Sequence, residues 1–191
     1  PMNELHDLGP NTAHLNQKPQ NPFRPGDRVQ KSGDDDPSIA VVVEVLPPEA
    51  DVSLYGQTME GEAVSVAFPS TLDEGPGDWR EIHPAKLASY CDDQDIRLYT
   101  YKHTNLERAT QPFTVGDYVI KPDYDDPDLG IVVDVDAEED RDITLTFQPK
   151  LDDAVDNPGC VSPANLADVC EEHGVNTYSY SHEDLIFEPQ Y

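Results

Sequence analysis

PFRPGDRVQKSGDDDPSIAVVVEV occupies residues 22–45, and PFTVGDYVIKPDYDDPDLGIVVDV occupies residues 112–135. At a shift of 90, 12 of these 24 positions are identical. Chance gives about one or two, at residue frequencies of roughly 5–10%. The likeness resumes downstream at a shift of 79, where residues 83–106 match residues 162–185. Pro84, Ala85, Leu87, Ala88, Cys91, Tyr99, Tyr101, His103 and Leu106 all return there. The fall in offset puts 11 extra residues in the first copy, between Leu46 and Val64. That insertion is rich in Pro, Gly and acid, which reads as a surface loop. A period near 80 residues is too long for a solenoid unit and suits a small domain. The expected organisation is an arm over 1–21, one module over 22–110 and a second over 111–191.

Each copy reads as short strands with one helix. Pro25-Gly26-Asp27 is a turn signature, and residues 28–31 follow as a strand. Residues 39–46 form a β-branched run, expected to be buried on both faces. Val64, Val66 and Phe68 alternate, as in a strand buried on one face only. Pro84 suits a first helical position, and Ser162 suits an N-cap. Leu87, Ala88 and Cys91 make one apolar helix face, repeated by Leu166, Ala167 and Cys170. Residues 97–101 are read as the closing strand. Module two repeats the order with strands near 117–121, 130–135, 143–147 and 176–180 and a helix over 163–171.

The GDxV turn, the acidic loop and then AVVVEV or GIVVDV resemble the opening hairpin of KOW and related SH3-like modules. The resemblance implies a mainly β chain of two tandem, homologous, small SH3-like barrels. Each would carry one short helix before the last strand, and an extended N-terminal arm would precede them. Module two keeps the motif glycine as Gly130; module one has Ala40 instead. The basic residues with which KOW modules of ribosomal and transcription proteins meet RNA are missing here.

Charge narrows the partners. There are 39 acidic residues against 12 basic ones, a net charge of −27 and a pI near 4.1. Such a surface repels itself in dilute buffer. At molar salt the Debye length falls to about 3 Å and the repulsion is screened. The acids interrupt apolar runs instead of forming one block, which is the pattern of a folded halophilic protein. Phosphate binding needs clustered Lys and Arg, so neither nucleic acid nor an anionic membrane is an expected partner. The polar first residues do not read as a signal peptide. A high-salt cytoplasm or a virion is the expected setting.

Candidate chemistry is thin. The acidic loops near 34–36 and 123–128 have the oxygen ligands that Ca²⁺ or Mg²⁺ takes, but no EF-hand spacing; they also read as solvated loops. Cys160, Cys170 and His173 lack paired zinc spacings, and module one has Gln94 where His173 falls. His103 and His182 are equivalent, with no nucleophile at a catalytic spacing, and read as strand-end hydrogen bonders. Cys91 and Cys170 read as buried packing thiols. The glycines form no phosphate loop, so no cofactor is expected. Tyr99 and Tyr101, with Tyr178 and Tyr180, place two aromatics on one face of a strand. They read either as a protein-contact surface or as burial across the barrel. The expectation is therefore a non-enzymatic structural or interaction protein of a haloarchaeon or its virus, such as a connector or decoration protein. It would work through protein partners, self-association included. An accessory module on a translation or transcription machine is the alternative.

Overall fold

The computed structural model describes residues 21–35, 37–46, 51–54, 57–60 and 63–188, with backbone only for 51–54 and 57–60. The arm expected over 1–21 lies, but for Asn21, outside the described residues. The first module runs β1 (Arg28–Lys31), β2 (Ala40–Val45), β3 (Asp51–Leu54), β4 (Gln57–Glu60), β5 (Ala63–Ala67), α1 (Pro69–Leu72), α2 (Leu87–Asp93), β6 (Tyr99–Lys102) and β7 (Leu106–Arg108). The second runs β8 (Tyr118–Ile120), β9 (Gly130–Val135), β10 (Ile143–Phe147), α3 (Gln148–Ala154), α4 (Leu166–Glu172), β11 (Tyr178–Tyr180) and β12 (Ile186–Phe187).

The chain is mainly β, with two five-stranded antiparallel sheets of the same order. The first is β6-β5-β2-β1-β7 and the second β11-β10-β9-β8-β12. Four strands meander, and the fifth returns to pair with the first, as an SH3-like unit requires. Val43 and Val133 are equivalent bulge residues, skipped where β2 pairs β5 and where β9 pairs β10. A bulge bends its strand and increases the twist, which curls each sheet.

The curl gives each sheet two buried faces. Inside the first, Val29, Val42, Val64, Val66 and Leu106 pack with Phe23. Outside it, Val41, Val43 and Ala67 pack under Leu72, Trp79, Leu87 and Cys91 from the helical layer. The second module repeats both layers with Val119, Val132, Ile143 and Leu145, then with Ile131, Val133, Leu151, Leu166 and Cys170. Leu72 and Leu151 are equivalent and fully buried, each contributing about 1.5–3 kcal/mol.

Four expectations need correction. The tyrosine strand does not close the module. It is the fourth strand; a 3-10 turn (His103–Asn105) leads to a fifth, which Leu-Glu-Arg does not advertise. The helix therefore precedes the fourth strand, not the last. Strand β5 is buried throughout, with Ala67 on its second face packed under the helical layer. The insertion is no plain loop: its β3 and β4 pair as a hairpin. Short helices α1 and α3, opening at Pro69 and Gln148-Pro149, were not foreseen.

Candidate functional site

The most developed polar cluster joins the two modules. In each, the GD turn uses its aspartate to close itself: Arg24 N donates to Asp27 Oδ2 at 2.9 Å, and Thr114 N to Asp117 Oδ2 at 2.7 Å. This local duty explains why the aspartate stands in both copies. In module two it takes on a second one. Arg28 of β1 donates Nη2 to Asp117 Oδ1 at 3.0 Å and Nη1 to Oδ2 at 3.2 Å. Arg80, in a 3-10 turn (Trp79–Glu81), donates Nε to Asp117 Oδ1 at 2.8 Å. Its Nη1 donates to Asp73 at 2.8 Å and its Nη2 to the Val115 carbonyl at 2.9 Å. Trp79 Nε1 also donates to Asp73, at 2.7 Å. The Arg28 guanidinium lies 5.1 Å from the ring centres of both Trp79 and Phe187, and Arg80 lies 4.4 Å from that of Trp79.

Asp117 is 1% exposed. Burial alone would raise its pKa, but the charges of Arg28 and Arg80 and the bonds from Arg28 and Thr114 outweigh it. The carboxyl is held below the usual range. Desolvation works against Arg80 too, yet Asp117 and Asp73 leave its pKa raised. A general base would need a carboxyl tuned upward, toward neutrality. Asp117 is tuned the other way, to stay ionised and bonded. The cluster is a clamp.

Beside the clamp lie two grooves of the same descent. One, of ≈ 420 Å³, is lined in module one by Gly26, Arg28, Ile82, Pro84 and Leu87. The other, also ≈ 420 Å³, is lined in module two by their counterparts Gly116, Tyr118, Val161, Pro163 and Leu166. They diverge where Trp79-Arg80 becomes Pro158-Gly159. The larger pair reaches across to grip the neighbour; the smaller pair leaves room for it.

The tyrosines sit on the fourth strand of each sheet. Tyr99 and Tyr101 are half-buried against the module-one core, with Phe68 edge-on to Tyr99 at 5.3 Å. Tyr178 is exposed and lies 5.3 Å from Phe147. Tyr180 packs on the module-two core, near Tyr124. Burial comes first among the causes that raise its pKa. The Lys121 ammonium stands 5.1 Å from the rings of Tyr124 and Tyr180. The tyrosines are not at the clamp.

The histidines have diverged. His182 N donates to Asp142 Oδ1 at 2.9 Å, and its Nδ1 lies 2.8 Å from Oδ2. Module one has Ala63 at the position of Asp142, and the buried Nε2 of His103 has no hydrogen-bond partner among the described residues. Cys91 and Cys170 are buried, and desolvation raises both thiols; Cys160 is exposed. Among the described residues, no three His, Cys, Asp or Glu side chains gather as metal ligands would. Among them, no helix is long and apolar enough to cross a membrane.

Sequence reasoning missed the clamp, since nothing local ties Arg28 to Asp117. A signal did exist: the lone Trp79, with Arg80, stands where the second copy has Pro-Gly.

Comparison with known families gives a clear match. The model of the DUF7961 C-terminal domain matches residues 26–107 and 116–186, one sheet each. Among solved structures, the crystal structure of Arabidopsis thaliana AGDP1 AGD34 is 14% identical, over 87% of this chain and 82% of that one, at a TM-score of 0.22. No curated protein matches the sequence.

Proposed function

Since the chain belongs to the DUF7961 C-terminal domain family and carries that domain twice, we propose that it is a non-enzymatic interaction protein. It presents two modules as one rigid body to protein partners in a larger assembly. The observation that carries this reading is the clamp: Asp117 of one module is sealed between Arg28 and Arg80 of the other. A buried, fully bonded charge cluster fixes one geometry, because partial separation would strand charges out of water. Fixed spacing is useful to a scaffold and of no evident use to two independent binders.

The setting is high salt, in a haloarchaeon or a virus of one. A net charge of −27 on 191 residues supports that choice, since only concentrated salt screens such a surface. A virion component, such as a connector or decoration protein, fits the reading.

The test is expression in a haloarchaeal host, with purification and sedimentation at molar KCl. The expected result is a stoichiometric complex or a regular oligomer that co-fractionates with particles. Co-fractionation with ribosomes or polymerase would favour an accessory role on those machines. A lone monomer across the concentration range would overturn the proposal.

A further inference from the structure

Among the described residues, four large apolar or aromatic side chains are exposed: Tyr124, Tyr178, Ile186 and Phe187. All four belong to module two. The last two form β12, an edge strand that among the described residues pairs only with β8. Its counterpart β7 is built differently. There Glu107 faces Gln30 across the ladder, and the two side chains bond at 2.8 Å. The same rung in module two is Ile186 facing Ile120. Arg108, turned to Asp27 and the Pro22 carbonyl, is replaced by Phe187. Natural sheets guard their edges with charge. Module one does so and module two does not.

The edge also presents backbone. Glu188 N donates to the Tyr118 carbonyl at 3.1 Å. Alternation in an antiparallel ladder then turns the Phe187 N–H and C=O away from β8. Ile186 and Phe187, being consecutive, show one apolar side chain on each face of that edge. Acids bracket them: Glu183 and Asp184 before, Glu188 after.

We infer that β12 takes up an extended segment of a partner protein by strand addition, and that this segment carries an apolar pair flanked by Lys or Arg. The inference rests on the interaction reading above and names its site. Strand addition draws affinity from main-chain bonds and specificity from alternate side chains. The basic flanks follow from complementarity to Asp184 and Glu188 within a chain of net charge −27. Beyond that strand lies the module-one groove, which Phe187 also lines.

The experiment is a titration of the ¹⁵N-labelled full chain, at molar KCl, with a nine-residue peptide Lys-Thr-Lys-Val-Val-Thr-Lys-Thr-Lys. Controls are the same peptide with Glu for Lys and a scramble that separates the valines. The expected result is shifts confined to β12, β8 and their flanks, with slowed exchange of the Phe187 amide. Affinity should fall at least tenfold for the scrambled peptide and for I186E, which writes the module-one residue into an exposed position, and the Glu peptide should bind more weakly than the Lys peptide by a margin that widens as KCl is lowered. The reverse change, E107I with R108F, should add a second site and raise the stoichiometry from one toward two. Shifts spread over the acidic faces of both modules would overturn the inference, as would unchanged binding by I186E. So would self-association of the free protein that I186E abolishes, because β12 would then serve a second copy. If the peptide fails while the protein still forms its assembly at molar KCl, the edge-strand site falls and the interaction reading stands.

Discussion

Asp27 and Asp117 are the same residue of the same turn, and their fates differ. Asp27 closes its turn and, among the described residues, pairs only with Arg108, which is 63% exposed, at 3.3 Å. Asp117 closes its turn and is then buried beneath two arginines. Duplication supplied the carboxylate; divergence at Arg28 and Trp79-Arg80 supplied its cations. A local turn role kept the aspartate in both copies, while the tertiary role arose in one. Identity between repeats therefore marks the fold, and difference between them marks what each copy does.

The largest expected effect breaks this pair. D117N leaves two buried guanidiniums facing an amide, and removing one partner of a buried pair costs about 3–5 kcal/mol. D27N should cost below about 1 kcal/mol, since an exposed pair is screened and flexible. Urea unfolding at molar KCl measures both. Equal losses would show that the turn, and not the clamp, matters in each module.

Acid sharpens the contrast. The folded Asp117 has a lower pKa than the unfolded value near 3.9. Its contribution is complete above about pH 4 and is lost as pH falls through the depressed folded value. Stability of the wild type minus that of D117N should thus be flat at neutral pH and shrink below about pH 4. Molar KCl screens the exposed acids meanwhile. A difference that grows in acid would show the sign to be wrong.

The glycines of the two turns give a smaller test. Gly26 and Gly116 have φ of +93° and +95°, which side chains rarely adopt. A Cβ would stand 3.1 Å from Pro84 in one and 3.0 Å from Pro163 in the other. Each substitution by Ala should cost about 1–3 kcal/mol. G116A should cost more, because its methyl also comes within 3.2 Å of Arg80 Cζ. Thermal melts of the two variants rank them.

The fold was largely legible because its strands repeat. Three of the described strands, β1, β9 and the third strand of module two, Ile143–Phe147, have the bounds expected, and five more overlap theirs. Strand β7 was hidden because Leu106 is its one buried residue. The burial of β5 was hidden because Ala63, Ser65 and Ala67 do not look like a core face, yet all three are buried, Ala67 beneath the helical layer. The hairpin β3–β4 was masked by the Pro, Gly and acid around it. The clamp depends on contacts 37 and 89 residues apart. No periodicity reports such contacts. The tyrosines were legible as a strand face, but that strand lies at the sheet edge and away from the module junction.

The smallest effect concerns how the two main helices stop. Both α2 and α4 end in the same bond, Ile96 N to the Cys91 carbonyl and Val175 N to the Cys170 carbonyl, each 2.8 Å. That ending needs a left-handed residue. Module two uses Gly174, at φ +64°, and module one uses Asp95, at φ +54°. An L residue there costs about 1–2 kcal/mol, less for Asp than for most. Glycine removes that cost but adds unfolded-chain entropy of about 0.5–1 kcal/mol. It also takes a negative charge from a helix C-terminus, where the dipole disfavours one. D95G should therefore stabilise by about 0.5 kcal/mol. G174D, whose Cβ would meet nothing within 4 Å, should destabilise by about 1 kcal/mol through backbone conformation alone. Paired denaturation curves resolve the two signs. If D95G destabilises, the Asp95 side chain holds the turn by a contact that glycine cannot replace.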